Sequence, residues 1–282
     1  MTSPQPDRTS PRVEGIPTEA PQQTYEYDAL TSFTRFYLDT YYKDPPSIDE
    51  IAINKFLNHE LRRLGRSWDN YVEISGEGGV HHMISIAPWV TRLYATDYRQ
   101  EAREETHRWA TGASDAFSWN HYIAMALGNE GIEPTDANIA SRIAEMRRKI
   151  ESIDTCNVLR SPIVNTSRVP LTPHAITGMF FVSGEVGETL DGWKAVMKNV
   201  CDSIAPGGHL FISALRGMTE YEVKRPDGPP DVYRCAELYG DHFRELLPML
   251  GLPNPVVEDL IIKDPDVGIP GIVMVSATKV SA

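Results

Sequence analysis

The run Glu73-Ile-Ser-Gly-Glu-Gly-Gly79, followed some way on by Tyr94-Ala-Thr-Asp-Tyr98, holds the residue types and spacing in this chain that could do chemistry. Glycines let a backbone approach a ligand where a Cβ would collide, and an acid roughly 20 residues later can accept both hydroxyls of a ribose. Asp97 stands at that position. The pattern alone suits any ligand that carries a nucleoside. His81 and His82 come directly after the turn. As metal ligands they would need a partner at i+4 or an acid at suitable spacing, and the local sequence offers neither, so no metal site is expected. His82 is expected to pack or to be solvated. No Ser-His-Asp arrangement can be read from spacing.

These residues need elements to hold them. Asn70 to Ile74 is a β-branched and aromatic run, Val80 to Ala87 reads as an amphipathic helix, and the next strand ends in Asp97. Together they make half of a nucleotide-binding α/β unit. Upstream, residues 1–23 are rich in Pro, Thr, Ser and Gln with almost no apolar content, and are expected to be a disordered tail. Aromatic residues then recur at helical spacing from Tyr25 to Lys43, with Leu30, Phe33, Tyr37 and Tyr41 on one stripe. A second helix, Ile48 to Leu64, has Ser47 as N-cap and Gly65 as terminator. Residues 24–66 are read as a helical cap or lid and residues 67–282 as the ligand-binding domain.

Downstream, helices are expected at Glu101–Ala110, from about Ala116 to Gly128, and at Thr135–Ile150, the last capped by Thr135 or Asp136. Strands are expected at Ile153–Val158, Ala175–Val182 and His209–Ser213, with a helix at Leu190–Ile204 before the turn Ala205-Pro-Gly-Gly208. This alternation is the signature of a parallel sheet covered on both faces. Met218 to Asp231, with three prolines, reads as a loop or lid, and Ala236 to Leu250 as a helix. Pro255–Ile262 and Ile269–Lys279 read as a hairpin that adds an antiparallel strand.

Composition narrows the partners. The 282 residues are 41% apolar and carry a formal net charge of −12, with no run of Lys and Arg longer than Arg147-Arg148-Lys149. Polyanion binding depends on clustered basic residues, so nucleic acid is not an expected partner and a small molecule is. Three well-separated cysteines, Cys156, Cys201 and Cys235, fit reduced thiols. No stretch approaches membrane-spanning length and no leader pattern opens the chain, so a cytoplasmic protein without membrane contact is expected. Nothing in the sequence fixes the oligomeric state.

Tyr37-Leu-Asp-Thr-Tyr-Tyr42, the turn and its helix, Thr96-Asp97-Tyr98, Ala116-Phe-Ser-Trp119, Cys156-Asn-Val158 and Ala205-Pro-Gly-Gly208 together resemble the small-molecule N-methyltransferases. That family includes the nicotinamide, phenylethanolamine and indolethylamine enzymes, and the resemblance runs from about Tyr25 to Lys279. It implies a class I methyltransferase fold: an α/β Rossmann-like seven-stranded sheet, mostly parallel with one antiparallel strand, under an N-terminal helical lid. It also implies S-adenosylmethionine as cofactor. Carried over by position, Asp97 would take the ribose hydroxyls, Tyr98 would stack near the adenine, and Asn157 and Val158 would meet its amine and ring nitrogen. Glu73, Ser75, Gly76, Gly78, Gly79, His81 and Ser183 would complete the cofactor site. Tyr37 and Tyr42 would lie over the methionine end and exclude water, with Tyr37 close to the reaction itself. On the acceptor side stand Glu185 as a candidate base and Glu220 or Tyr221 in the expected lid.

The sequence also departs from that pattern. Glu77 interrupts a turn of small residues, Ala102 replaces an expected asparagine, and Phe211-Ile-Ser-Ala-Leu-Arg216 lacks the acid that holds the acceptor in nicotinamide-type members. Three readings therefore stay open. The first is methyl transfer to a small amine or heterocycle. The second is cyclisation of the cofactor to azetidine-2-carboxylate and methylthioadenosine, with Glu77 taking the proton of the α-amine. The third is a non-catalytic scaffold.

Overall fold

The computed structural model describes residues 33–43, 45–263 and 268–280. The expected tail at 1–23 and the start of the first expected helix, with Leu30, lie outside the described residues.

Strand β1 (Trp68–Ile74) is buried at every position except Asp69, as a strand covered on both faces must be. It forms the centre of a seven-stranded sheet with β2 (Val90–Thr96), β3 (Ile150–Asp154), β4 (Ala175–Phe180), β5 (His209–Leu215), β8 (Val256–Ile261) and β9 (Gly271–Thr278), in the order β3-β2-β1-β4-β5-β9-β8. The first five run parallel, and β9 pairs antiparallel with both β5 and β8. Strand order reverses between β1 and β4, so a crevice opens beyond the carboxyl ends of these two strands. The glycine turn leaves β1 at that end.

Helices flank the sheet. On one side α1 (Phe33–Tyr41), α2 (Ile48–Leu64), α3 (His81–Ile86) and α5 (Asn120–Glu130) share a core built around Leu38, Leu57, Leu61, Tyr71, Met83 and Ile123. α4 (Gln100–Thr111) and α6 (Asp136–Lys149) pack beside β2 and β3. On the other side α8 (Leu190–Ser203) and α9 (Gly240–Met249) close a core centred on Trp193, Met197, Phe243 and Leu246. The short α7 (Ser183–Gly187) follows β4 at the crevice. The helices that precede the sheet thus join its core, and α1 also packs against α4.

Local signals set several boundaries. Gly65 ends α2 at φ +61 with its N–H on the Leu61 carbonyl, and Thr135 caps α6 through its side chain, which accepts from the Asn138 N–H at 3.2 Å. Ser47 stands at the start of α2 without a side-chain cap bond.

Four expectations need correction. The strand expected at Ile153–Val158 is β3, which begins at Ile150 and ends at Asp154. Residues 156–164 beyond it fold into a loop closed by a bridge between Cys156 and Val164. The expected loop at Met218–Asp231 contains β6 (Glu220–Val223), paired antiparallel with β7 (Asp231–Arg234) as a separate ribbon. Its prolines fall in the connection between the two strands. The last helix starts at Gly240 rather than Ala236, fixed by a capping box of Tyr239 and His242. Finally, the face of α1 turned inward carries Phe33, Thr34 and Leu38, while Tyr41 is exposed.

Candidate functional site

The turn between β1 and α3 is backbone-driven. Ser75 (φ +59), Glu77 (φ +48) and Gly78 (φ +80) all adopt left-handed conformations, and the Gly79 N–H closes on the Gly76 carbonyl at 2.7 Å. Such geometry points successive amides into one concavity. Two glycines are required sterically: a Cβ on Gly78 would lie 2.7 Å from Thr34 Cγ2 of α1, and one on Gly79 would lie 2.6 Å from His81 Nδ1. A narrow pocket lined by Gly76, Gly78, Gly79, Asp97 and Thr106 runs along the turn.

Asp97 stands just past β2 at the edge of this pocket and is 4% exposed. Its carboxylate accepts from the Glu77 N–H at 2.9 Å and from the Arg99 N–H at 2.8 Å, so its orientation is fixed. Burial, and then the charge of Glu77, push its carboxyl up to about 7 against the two amides and Arg99, which pull it down. The Glu77 carboxylate contacts Arg99 Nη1 at 3.4 Å, and the Arg99 guanidinium also meets Glu101 at 3.2 Å and lies 4.8 Å over the Phe33 ring. Glu77, Arg99 and α1 are therefore one connected corner of the site.

Above the turn lies an aromatic layer. Tyr37 packs on Tyr42 with ring centroids 5.9 Å apart, Tyr42 on His81 at 4.7 Å, and His81 stacks on Trp119 at 4.8 Å. Burial and the nearby Glu77 raise the Tyr37 phenol far above its usual range, and burial with Tyr37 does the same for Tyr42, so both stay neutral donors. Trp68, Trp109, Trp119 and Trp193 are all buried, and of these Trp119 belongs to this layer.

The remaining candidates stand on the loops after β2, β3 and β4 and on the separate ribbon. Asn157 and Val158 lie in the loop after β3, next to Asp97 through the contact of Cys156 N–H with the Asp97 carbonyl at 3.4 Å. The Asn157 side chain accepts from the Leu159 N–H at 2.9 Å, and the Val158 carbonyl accepts from Asn199 at 3.0 Å. Tyr98 is 55% exposed at the mouth. Ser183 and Glu185 follow β4 and are buried; among the described residues the Ser183 hydroxyl has no hydrogen-bond partner. Burial pushes the Glu185 carboxyl up to about 7 against backbone N–H groups around it. Glu220 and Tyr221 sit on the separate ribbon, which is tied to α1 where the Lys224 N–H donates to the Tyr41 hydroxyl at 2.9 Å.

Glu73 lines the same pocket along the turn. Its carboxylate takes the Tyr71 hydroxyl and His82 Nδ1, the latter at 3.2 Å. The expectation that no acid stands near the histidine pair is also corrected. Glu50, from α2, contacts His81 Nε2 at 3.5 Å and His82 Nε2 at 3.4 Å, and all three side chains are buried. Burial alone would neutralise His82, but Glu50 and Glu73 together outweigh it and push its pKa up to about 9; His81 is lowered by burial and by His82. Sequence reasoning missed Glu50 and Arg99. Glu50 reads as a favourable first-turn acid of α2, and nothing local links it to a histidine 31 residues on.

A protein-family model described as the NNMT/PNMT/TEMT family matches residues 22–254. The chain is 24% identical over 193 residues to indolethylamine N-methyltransferase of Mus musculus, covering 66% of this chain and 71% of that one. It is 24% identical over 211 residues to phenylethanolamine N-methyltransferase of Homo sapiens, covering 72% and 73%. Among solved structures, an S-adenosylmethionine-dependent methyltransferase from Clostridium acetobutylicum superposes with a TM-score of 0.50 at 10% identity, over 89% of this chain and 98% of that one. That likeness agrees with the class I Rossmann-like sheet, and the match over most of the sequence places the chain in the NNMT/PNMT/TEMT family.

Proposed function

We propose that the protein is an S-adenosylmethionine-dependent methyltransferase that acts on the nitrogen of a small amine or heterocyclic metabolite. The observation that carries the reading is Asp97: a buried carboxylate, aimed by two backbone amides, facing a glycine turn at the switch point of the sheet. An ionised carboxylate held this way can accept from both hydroxyls of a ribose, and Gly78 and Gly79 let the turn pack tightly on Thr34 and His81 beside it. The unpartnered Ser183 hydroxyl at the end of β4 fits a polar ligand atom in the crevice.

When bound, the cofactor supplies an electrophilic methyl group on a sulfonium. The protein's part is then alignment and exclusion of water. Asp97 holds the nucleoside end, with Tyr98, Asn157 and Val158 about the base. Gly76, Gly78, Gly79, Ser75 and His81 shape the other end. Tyr37 and Tyr42 close the cleft from above and present neutral hydroxyls there. An amine that arrives protonated must lose its proton before its lone pair can take the methyl group, and Glu185, with a carboxyl near neutrality, is matched to receive it. The ribbon that bears Glu220 and Tyr221 is joined to α1 by the bond from the Lys224 N–H to the Tyr41 hydroxyl, which supports a role for the two residues on the acceptor side.

The test is incubation of the purified protein with S-adenosylmethionine, with and without an amine library, followed by mass spectrometry. S-adenosylhomocysteine that forms only with an acceptor supports methyl transfer. Methylthioadenosine and azetidine-2-carboxylate in the absence of acceptor would replace the proposal with the cyclase reading. Absence of any turnover, with no calorimetric binding of the cofactor, would leave the scaffold.

A further inference from the structure

The cluster of Glu50, His81 and His82 sits behind the glycine turn, between α2 and the first turn of α3, and has three features that an ion pair alone does not explain. First, the contacts are the wrong length for hydrogen bonds. Charge-assisted N–H···O bonds run at about 2.7–2.9 Å. His81 Nε2 and His82 Nε2 instead stand 3.5 and 3.4 Å from the two Glu50 oxygens, and neither nitrogen makes a hydrogen bond among the described residues. With metal–ligand bonds of about 2.0–2.1 Å, a tetrahedral site has ligand–ligand edges of about 3.3 Å. The three ligand atoms all lie within 4.8 Å of one another.

Second, the outer partner that orients a metal-bound imidazole is in place. His82 turns Nδ1 to Glu73 at 3.2 Å, and Glu73 is itself held by the Tyr71 hydroxyl. Once a metal ion displaces the Nε2 proton, a carboxylate on the far nitrogen holds the remaining proton on Nδ1 and leaves the Nε2 lone pair to the ion. Third, the site is dry and rigid. Glu50, His81 and His82 are 4%, 6% and 7% exposed, the His82 ring stacks on Phe180 at 3.9 Å, and the His81 ring stacks on Trp119. The Tyr122 ring, from a third helix, lies 5.4 Å from the His81 ring, and its buried hydroxyl also has no hydrogen-bond partner among the described residues.

We propose that Glu50, His81 and His82 bind one divalent transition-metal ion, Zn2+ fitting the two-imidazole, one-carboxylate donor set, and that the ion fastens α2 to the start of α3 behind the glycine turn. Two nitrogens and one oxygen leave a fourth position for water or the Tyr122 hydroxyl. With every ligand enclosed, the ion is taken up as the chain folds and serves as a structural tie. This inference does not depend on the reaction the protein performs.

The test is metal content. Untagged full-length protein, produced in zinc-supplemented medium and dialysed against metal-free buffer, should retain about one Zn2+ per chain. Glu50→Gln and His82→Gln should each lower that by at least tenfold while S-adenosylhomocysteine binding still reports a folded chain. Wild-type protein without zinc, or variants that retain as much as wild type, would overturn the proposal. If the variants fail to fold, X-ray absorption on the zinc-loaded wild type decides. Two imidazoles and a carboxylate oxygen in the inner shell support it, and sulfur or an all-oxygen shell would refute it.

Discussion

Asp97→Asn gives the sharpest test of the site's electrostatics, because the same carboxylate should weaken the empty protein and strengthen the complex. In the ligand-free fold its carboxyl titrates at about 7, against an ordinary 3.8, chiefly because of burial and then the charge of Glu77. A raised native pKa means that folding takes up a proton between those two values. The stability it contributes is fully present below 3.8 and is lost as pH rises through about 7. Integrated from about pH 5 to about pH 8, that loss is on the order of 2–3 kcal/mol. Urea unfolding of wild type and Asp97→Asn across this range should therefore give curves that diverge. The wild type falls relative to the variant, whatever constant offset arises from the Asn amide facing the Glu77 N–H. Ligand binding should show the opposite slope. Ribose hydroxyls donate to the ionised form, so calorimetric affinity for S-adenosylhomocysteine should rise about tenfold per pH unit below 7 and flatten above it. In Asp97→Asn the slope should vanish and affinity should drop by roughly 1–3 kcal/mol. Parallel stability curves and a pH-independent affinity in wild type would refute the assignment of Asp97.

Other changes probe the surrounding elements. Gly79→Ala should weaken cofactor binding at least tenfold in the same calorimetric assay, since its Cβ would lie 2.6 Å from His81 Nδ1 and 3.0 Å from the Gly76 carbonyl. Glu185→Gln should remove the limb near pH 7 from the kcat/KM profile for an amine acceptor while leaving cofactor affinity unchanged. Tyr41→Phe deletes the bond from the Lys224 N–H, a net effect of about 1 kcal/mol, and should appear as faster amide exchange across residues 220–234. Trp193→Ala, in the core under α8, should lower unfolding free energy by about 3–5 kcal/mol without moving ligand affinity.

The glycine turn and Asp97 were legible in the sequence because their geometry is local: positive φ angles, small residues and a strand-end acid are written within about 25 residues of one another. The sheet was legible for the same reason, strand by strand, down to the antiparallel β9. Elements were misplaced where a neighbour decides the boundary. β3 starts at Ile150 because α6 runs straight into the pairing register of β2, and its apolar continuation to Val158 is drawn off into a loop bridged to Val164. Ala236 and Leu238 look helical but are buried beside β5, where the Leu238 carbonyl accepts from the Gly217 N–H, and the helix waits for the Tyr239–His242 box. Glu50 was invisible as a partner of His81 and His82 since only the docking of α2 on α3 brings them together.

Glu77, set among Ser75, Gly76, Gly78 and Gly79, acts on the site in two opposed ways. At φ +48 its backbone is strained by roughly 1–2 kcal/mol, and its charge raises the carboxyl of Asp97 in the empty site. Both effects act against the ligand-free fold. Yet its own N–H is one of the two that aim Asp97, and its carboxylate meets Arg99, whose guanidinium lies over Phe33 of α1. Replacement by glycine would keep the amide and relieve the strain, but it would cut the link between the turn and the helix that covers it. Glu77 therefore couples the orientation of Asp97 to the seating of α1, so the same side chain that destabilises the empty site also joins the turn to the helix packed beside it.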